Sequence, residues 1–352
     1  MEEFEKAALK IAAKKLSPGT EDKLVEGPRF GTGGHFSGIF LWDTAFTALW
    51  AKYHKETMPV ARSLDNLYRL QGQNGFINRE YTASGIPAWP HDHPIAFAPP
   101  VLSWAEFDLY ELFQDLDRLA RIFPHLLRHH NYCRRYFRQD DGLYIGDPWG
   151  CGMDNLPRWP RWFQSSDAHL TLAKEKVHKS LHPFYDHYLS NSIGRFWNIQ
   201  GRYIDMSAQM AFDALCLARI AKVLDLRENE EKLRQEHSDL AVAINKHCWN
   251  EESKFYFDLG FGEQIKRFHV GAYWALIAEV VPEERLTGFV NHLLDREKFA
   301  RPVPIPVLAA DDPDYKAHGF YWRGSSWPPT TYMVLRGLRV AGLNDIAVSI
   351  AR

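Results

Sequence analysis

Asp154 lies within the stretch DPWGCGMDNLPRW, Asp147 to Trp159, which is rich in glycine, proline and tryptophan and has neither helical nor strand periodicity. A carboxyl group set among Trp149, Met153 and Trp159 would be partly desolvated, which favours its neutral form. A carboxylic acid that stays protonated near neutral pH is what general-acid catalysis requires. Asn155 is placed to hold such a group, and Arg158, after Pro157, either reaches a ligand or braces the loop. The alternative for an isolated Asp beside Gly and Pro is a capping or turn residue.

Other polar residues sit next to flat rings. Arg79 and Glu80 end the stretch NGFINRE, and Tyr321, Trp322, Arg323, Gly324 and Trp327 make up YWRGSSW. An Arg flanked by Trp and Gly can approach a ligand closely and donate several hydrogen bonds in a fixed fork, to sugar hydroxyls or to a carboxylate. Ordinary salt bridges are the alternative for both arginines. In LWDT, Asp43 precedes an amphipathic run, so the alternative to a ligand role for it is a helix N-cap. His91 and His93, with Asp92 between them in WPHDHP, suggest two metal ligands, yet no third and fourth ligand follow at recognisable spacing, so the stretch reads as a loop and no metal is expected.

Composition narrows the partners. Lys+Arg 42 against Asp+Glu 44 leaves a net charge of -2, without the basic surplus that nucleic-acid binding draws on. Aromatic residues make up 14%, with 12 Trp, 15 Tyr and 22 Phe, more than a core of this size needs and suited to a site where sugars stack on rings. The four cysteines, Cys133, Cys151, Cys216 and Cys248, show no CxxC pairing, so neither zinc nor a disulfide framework is indicated. MEEFEKAALKIAAKKL is charged throughout, and no apolar run is long enough to span a bilayer. These features give the expectation of a cytoplasmic protein with no membrane partner. Nothing in the sequence fixes an oligomeric state.

The elements that must position these residues read as helices. Phe46, Leu49, Trp50 and Tyr53 form one apolar stripe, followed by a second helix over MPVARSLDNLYRLQ. Helical patterns recur in residues 99–115, 116–137, 205–225, 227–249, 271–281, 282–294 and 328–342, whereas KFYFDLGFGEQIKRFHV reads as a strand pair around a turn. Three long loops, Gly72 to Pro100, Asp140 to Ser166 and Arg301 to Pro328, carry the unusual residues, and structureless loops of such length are usually functional.

FLWDTAF, NGFINRE, PPVLSWA, GCGMDNLPRW, DMSAQM and YWRGSSW occur in an order that resembles the (α/α)6-barrel glycoside hydrolases, in particular glycoside hydrolase family 63 and its bacterial mannosylglycerate and glucosylglycerate hydrolase relatives, with trehalases as cousins. The resemblance runs from about Phe36 onward. It implies an all-α (α/α)6 toroid with a short β-hairpin insertion, formed by residues 1–352 as a single catalytic domain. It also implies hydrolysis of a small α-linked glucoside or mannoside, a glycerate conjugate included, with inversion and without metal or cofactor. Asp154 would be the general acid. Trp42 would be a sugar platform and Asp43 an acceptor for sugar hydroxyls. Trp149, Asn155, Arg79, Glu80, Arg158, Tyr321, Trp322, Arg323, Gly324 and Trp327 would line the pocket. An inverting enzyme needs a second carboxylate to activate water, about 6.5 to 9.5 Å from the acid.

Departures from the family pattern leave the substrate open. GCGMDNLPR stands where relatives commonly have ESGMDNSPR, and Ala98 where many carry Gln. An epimerase or lyase on the same toroid would want a histidine acid/base pair, and a sugar-binding protein that has lost chemistry would keep the aromatic residues. The resemblance places the base, a glutamate, after further helices beyond YWRG. The final LNDIAVSIAR reads as cut in mid-helix, so the expectation is a toroid lacking its last helices, with the base beyond Arg352. Were these residues active alone, Glu80, Glu106 or another carboxylate would have to serve.

Overall fold

The computed structural model describes residues 2–33, 36–92, 94–147, 149–158, 201–260 and 262–352. The chain forms two units, Met1–Tyr136 with Cys216–Glu230, and Phe137–Leu215 with Glu231–Arg352.

In the first unit, α1 (Glu2–Lys14) precedes a two-stranded ladder in which β1 (Ile39–Phe40) pairs antiparallel with β2 (Glu80–Tyr81), Ile39 opposite Tyr81 and Phe40 opposite Glu80. α2 (Leu41–Ala51) leaves β1 directly. Phe40 holds its N-cap position without a side-chain cap, and the Leu41 N–H instead donates to the Arg79 carbonyl at 2.9 Å. Asp43 is therefore not the N-cap. It stands within the first turn, where its charge meets the positive end of the helix dipole.

The apolar stripe expected on α2 divides: Phe46 and Leu49 are buried, whereas Trp50 is 38% and Tyr53 67% exposed. The buried face includes Leu41, Ala45 and Ala48 instead. After Ala51 the chain tightens into the 3-10 turn Lys52–His54, and the change of winding takes Tyr53 off the helical face. Lys52 is buried and its ammonium pairs with the Asp108 carboxylate, joining this turn to α4 (Leu102–Phe113).

α3 (Val60–Arg69) starts after Pro59, and α5 (Leu116–Phe137) runs unbroken through Pro124. Arg118 of α5 donates from Nε and Nη2 to the Glu106 oxygens at 2.9 and 2.7 Å and from Nη1 to Asp65 at 3.0 Å, while the Tyr68 hydroxyl donates to Glu106 at 2.9 Å. This cluster ties α3, α4 and α5 together. Glu106 is 1% exposed with both oxygens occupied, so it is a structural anion and not a water-activating base.

The later elements are α6 (Ile204–Val223), α7 (Arg227–His247), β3 (Trp249–Asn250), β4 (Phe255–Tyr256), β5 (Asp258–Gly260), β6 (Glu263–Ile265), α8 (Trp274–Ile277), α9 (Glu283–Leu294), α10 (Pro328–Val340) and α11 (Asn344–Ala351). β3 pairs with β4 and β5 with β6, both antiparallel, so the segment read as one strand pair contributes to two. α6 is apolar on nearly every face and correspondingly buried. The helix expected over 271–281 is shorter: it ends before Glu279, whose φ of 56° is left-handed. In the second unit Phe255, Tyr273 and Phe289 pack as a ring cluster, with the last two stacked at 4.7 Å. All four cysteines are buried, and among the described residues no helix is long and apolar enough to cross a membrane.

Removing one partner of a buried ion pair costs about 3 to 5 kcal/mol, whereas replacing both with apolar groups costs far less. Glu106→Leu should accordingly destabilise the protein by about 3 kcal/mol in urea denaturation, and Glu106→Leu with Arg118→Leu should recover most of that loss.

Candidate active site

In the first unit, strand pairing brings LWDT and INRE together. Phe40 faces Glu80 across the ladder, and one residue further Leu41 bonds to Arg79, so Trp42 and Asp43 emerge on a helix start framed by Arg79 and Glu80. The Trp89 indole N–H donates to Glu80 Oε2 at 2.7 Å. The Arg79 guanidinium lies over the same indole at 4.4 Å and 3.6 Å from Glu80 Oε2. Buried Asn78 completes the frame by donating to the Trp89 carbonyl at 2.7 Å. Arg79 thus makes the salt bridge that the sequence left as an alternative. Trp42 and Asp43 are half-buried, and Trp42 packs edge-on against Phe46. His91 hydrogen-bonds the Tyr132 hydroxyl at 3.1 Å, while His93 lies outside the described residues. Among the described residues no three His, Cys, Asp or Glu side chains converge as metal ligands.

In the second unit the loop carrying Asp154 is folded by its own side chains. Asp147, fully buried, accepts the Trp149 and Gly150 N–H groups at 2.8 and 2.9 Å on one carboxylate oxygen, which fixes the turn that opens the loop. Gly152 takes a left-handed φ of 76°, and Met153, Leu156 and Arg158 point into the interior. Asp154 and Asn155 are left half-buried between these anchors, as is Trp149; Trp159 lies outside the described residues.

YWRGSSW meets this loop directly. The Tyr321 hydroxyl donates to Asp154 Oδ2 at 2.7 Å, the Trp322 N–H donates to Asn155 Oδ1 at 2.8 Å, and Arg323 Nε donates to the Asn155 carbonyl at 3.1 Å. Arg323 also lies 3.7 Å from Asp314, which Arg267 holds at 2.8 Å. Gly324 is required sterically, since a Cβ there would stand 1.9 Å from the Lys316 carbonyl oxygen. Trp322 and Trp327 stack at 4.3 Å with planes 7° apart. Trp322 is buried beneath this stack, so Trp327 and the exposed Tyr321 supply the open ring surface.

Arg158 is fully buried and sits beneath the loop. Its Nη1 donates to Asp258 Oδ2 at 2.7 Å, its Nη2 to Asp205, and the guanidinium covers the Tyr203 ring at 4.1 Å. The Asp258 carboxylate also accepts the Ile204 N–H at 2.8 Å and lies 3.3 Å from His269 Nε2. That last contact lacks hydrogen-bond geometry and acts electrostatically. Two carboxylates thus share one guanidinium. Burial alone would push the Asp258 carboxyl up, but Arg158 and His269 hold it at about 2, while burial pushes the Asp205 carboxyl up against the pull of Arg158. Burial also pushes the Cys151 thiol up, which disfavours the thiolate. Asp205, Asp258 and His269 were not singled out from the sequence; the legible signal was a lone Asp among apolar residues in FYFDLG.

Residues 37–352 match the model of the mannosylglycerate hydrolase MGH1-like glycoside hydrolase domain. The chain belongs to this family. A mannosylglycerate hydrolase from Rubrobacter radiotolerans is 25% identical over 360 residues, covering 87% of this chain and 80% of that protein. An uncharacterized protein of Borreliella burgdorferi is 22% identical over 288 residues, or 81% of this chain, and the chain spans about half its length, 52%. A crystal structure of the family 63 mannosylglycerate hydrolase from Thermus thermophilus in complex with Tris superposes with a TM-score of 0.75 at 21% identity, covering 98% of this chain and 89% of that one. The fold is accordingly the (α/α)6 toroid.

Arg158→Met would strand two buried carboxylates. In the unaltered protein Asp258, held at about 2 against an ordinary 3.8, contributes stability that is present above pH 3.8 and lost as the pH falls through about 2. Without Arg158 the buried carboxyls should protonate more readily folded than unfolded, so the sign reverses. The expected result is a protein about 3 to 5 kcal/mol less stable at pH 7 that recovers stability on acidification from pH 7 to 5, read from urea midpoints.

Proposed function

We propose that this chain is an inverting glycoside hydrolase acting on a small α-linked mannoside or glucoside, with Asp154 as general acid. The observation that carries the reading is the pairing of Asp154 with the Tyr321 hydroxyl at 2.7 Å, on a loop locked from below by Arg158 and from the side by Asn155. A proton donor must be held in one orientation against the departing oxygen, and this carboxyl is half-buried and held. In the second unit Trp327 supplies a ring face for a sugar with Trp149 and Arg323 as polar neighbours, and in the first unit Trp42 supplies a ring face with Asp43, Arg79 and Glu80 beside it. Arg158 and Trp322, both buried, act through the loop and the ring stack. Gly324 lets the YWRG backbone approach Lys316.

Mannosylglycerate and glucosylglycerate are the first substrates to try, because a related hydrolase carries the former name and another relative was solved in complex with Tris and D-glycerate. An arginine fork beside the acid suits a substrate that carries a carboxylate. His269 is 1% exposed, which removes it from the direct contact with substrate that an epimerase or lyase would ask of a histidine.

Asp154→Asn should reduce kcat by about 100-fold to 10,000-fold while leaving ligand affinity nearly unchanged, since the amide keeps the shape but supplies no proton. Anomer-resolved NMR of the released sugar should show inverted configuration. Saturable sugar binding without turnover in the unaltered protein would replace this reading with that of a sugar-binding protein. Trp327→Ala and Trp42→Ala should each weaken sugar binding by about tenfold with little loss of stability, measured by calorimetry beside thermal melting.

A further inference from the structure

The first unit carries an open cavity of about 370 Å3 that none of the sugar-facing residues lines. It is framed by the turn that ends α2, the start of α3, the last two turns of α4 and the start of α5. Its origin is local: Pro59 forces the chain to restart as α3, and Gln114, with a left-handed φ of 54°, turns α4 sharply into α5. Ten residues of helix separate Trp42 from Lys52, about 15 Å along the axis of α2, so the cavity lies at the far end of that helix from the sugar platform.

The cavity has the two chemistries of a ligand site. Met58, Leu109 and Leu119 are buried and give it apolar walls together with Tyr110 and Phe113. Its floor is the Glu106–Arg118 ion pair, and its volume lies within the range of small-molecule pockets. The charges at the mouth do not cancel. Glu106 is consumed by Arg118 and Tyr68, and Asp115 accepts the Arg118 N–H at 2.9 Å as the cap of α5. Lys55, whose ammonium lies 4.3 Å over the Phe113 ring, and Arg62, which donates to the Gly27 carbonyl, make no ion pair among the described residues.

From this combination we infer that the cavity is a second ligand site, for a small amphipathic carboxylate. The apolar body, an aromatic ring system or short acyl chain, lies between Met58, Leu109, Phe113 and Leu119, and the carboxylate meets Lys55 and Arg62 at the mouth. Phe113 serves both parts, as a wall for the body and as the face on which the Lys55 ammonium rests. The inference is independent of the glycosidase reading, since no residue of the Asp154 or Trp42 groups enters it.

Calorimetric titration of the full chain with 1-naphthoate, beside the neutral 1-naphthalenemethanol, tests it. The acid should bind about tenfold tighter than the alcohol, and Lys55→Glu with Arg62→Glu, both exposed positions, should abolish that preference while leaving alcohol binding in place. Leu109→Trp, which fills the cavity, should block both probes, with circular dichroism to confirm the fold. The inference is overturned if naphthoate does not bind, if the charge-reversed variant binds it as well as the unaltered protein does, or if mannosylglycerate displaces it.

Discussion

The interaction on which the candidate active site depends is the sharing of the Arg158 guanidinium between Asp205 and Asp258. Those carboxylates come from the start of α6 and from β5, and Arg158 itself belongs to the loop that carries Asp154. Three segments that no hydrophobic pattern would align are thereby held at one buried point. A guanidinium out of water is costly unless its donors are satisfied, and two carboxylates out of water are equally costly unless paired. The energetic penalty for any one segment drifting away is what makes the loop rigid. Tyr321 and Asn155 then add orientation to a loop that is already anchored.

A second constraint acts by backbone alone. α2 begins without a side-chain cap because its first N–H is met by the Arg79 carbonyl, an extension of the β1–β2 ladder. The positions of Trp42, Asp43, Arg79 and Glu80 are thus set by main-chain register. Side chains at these positions can change while the frame persists.

Much of the helical architecture was legible, because amphipathic periodicity is a local property: α3, α4, α5, α7, α9 and α10 each fall within a stretch read as helical. Errors arose where local rules met tertiary ones. Asp43 had the sequence marks of an N-cap, but strand pairing supplied the partner that a cap would have supplied. Trp50 and Tyr53 continued an apolar stripe past the point where the helix tightens. Glu106 sat on a helix with no mark of its ion pair, since Arg118 approaches from the next helix. Among the candidate site residues, the proposal for Asp154 rests on its aromatic surroundings in the sequence and the motifs in order. The buried set of Asp205, Asp258 and His269 was not, because each depends on a partner far away in the chain.

The hydrogen bond from the Trp322 N–H to Asn155 spans 167 positions of sequence, and that between Tyr321 and Asp154 spans the same separation. Closing so large a loop carries an entropic cost that local helix formation does not. During synthesis the Asp154 loop therefore leaves the ribosome long before the segment that orients its carboxyl exists. The helices around it can form early, while the orientation of the Asp154 carboxyl waits for Tyr321, so a nascent chain can be extensively helical before that carboxyl is held.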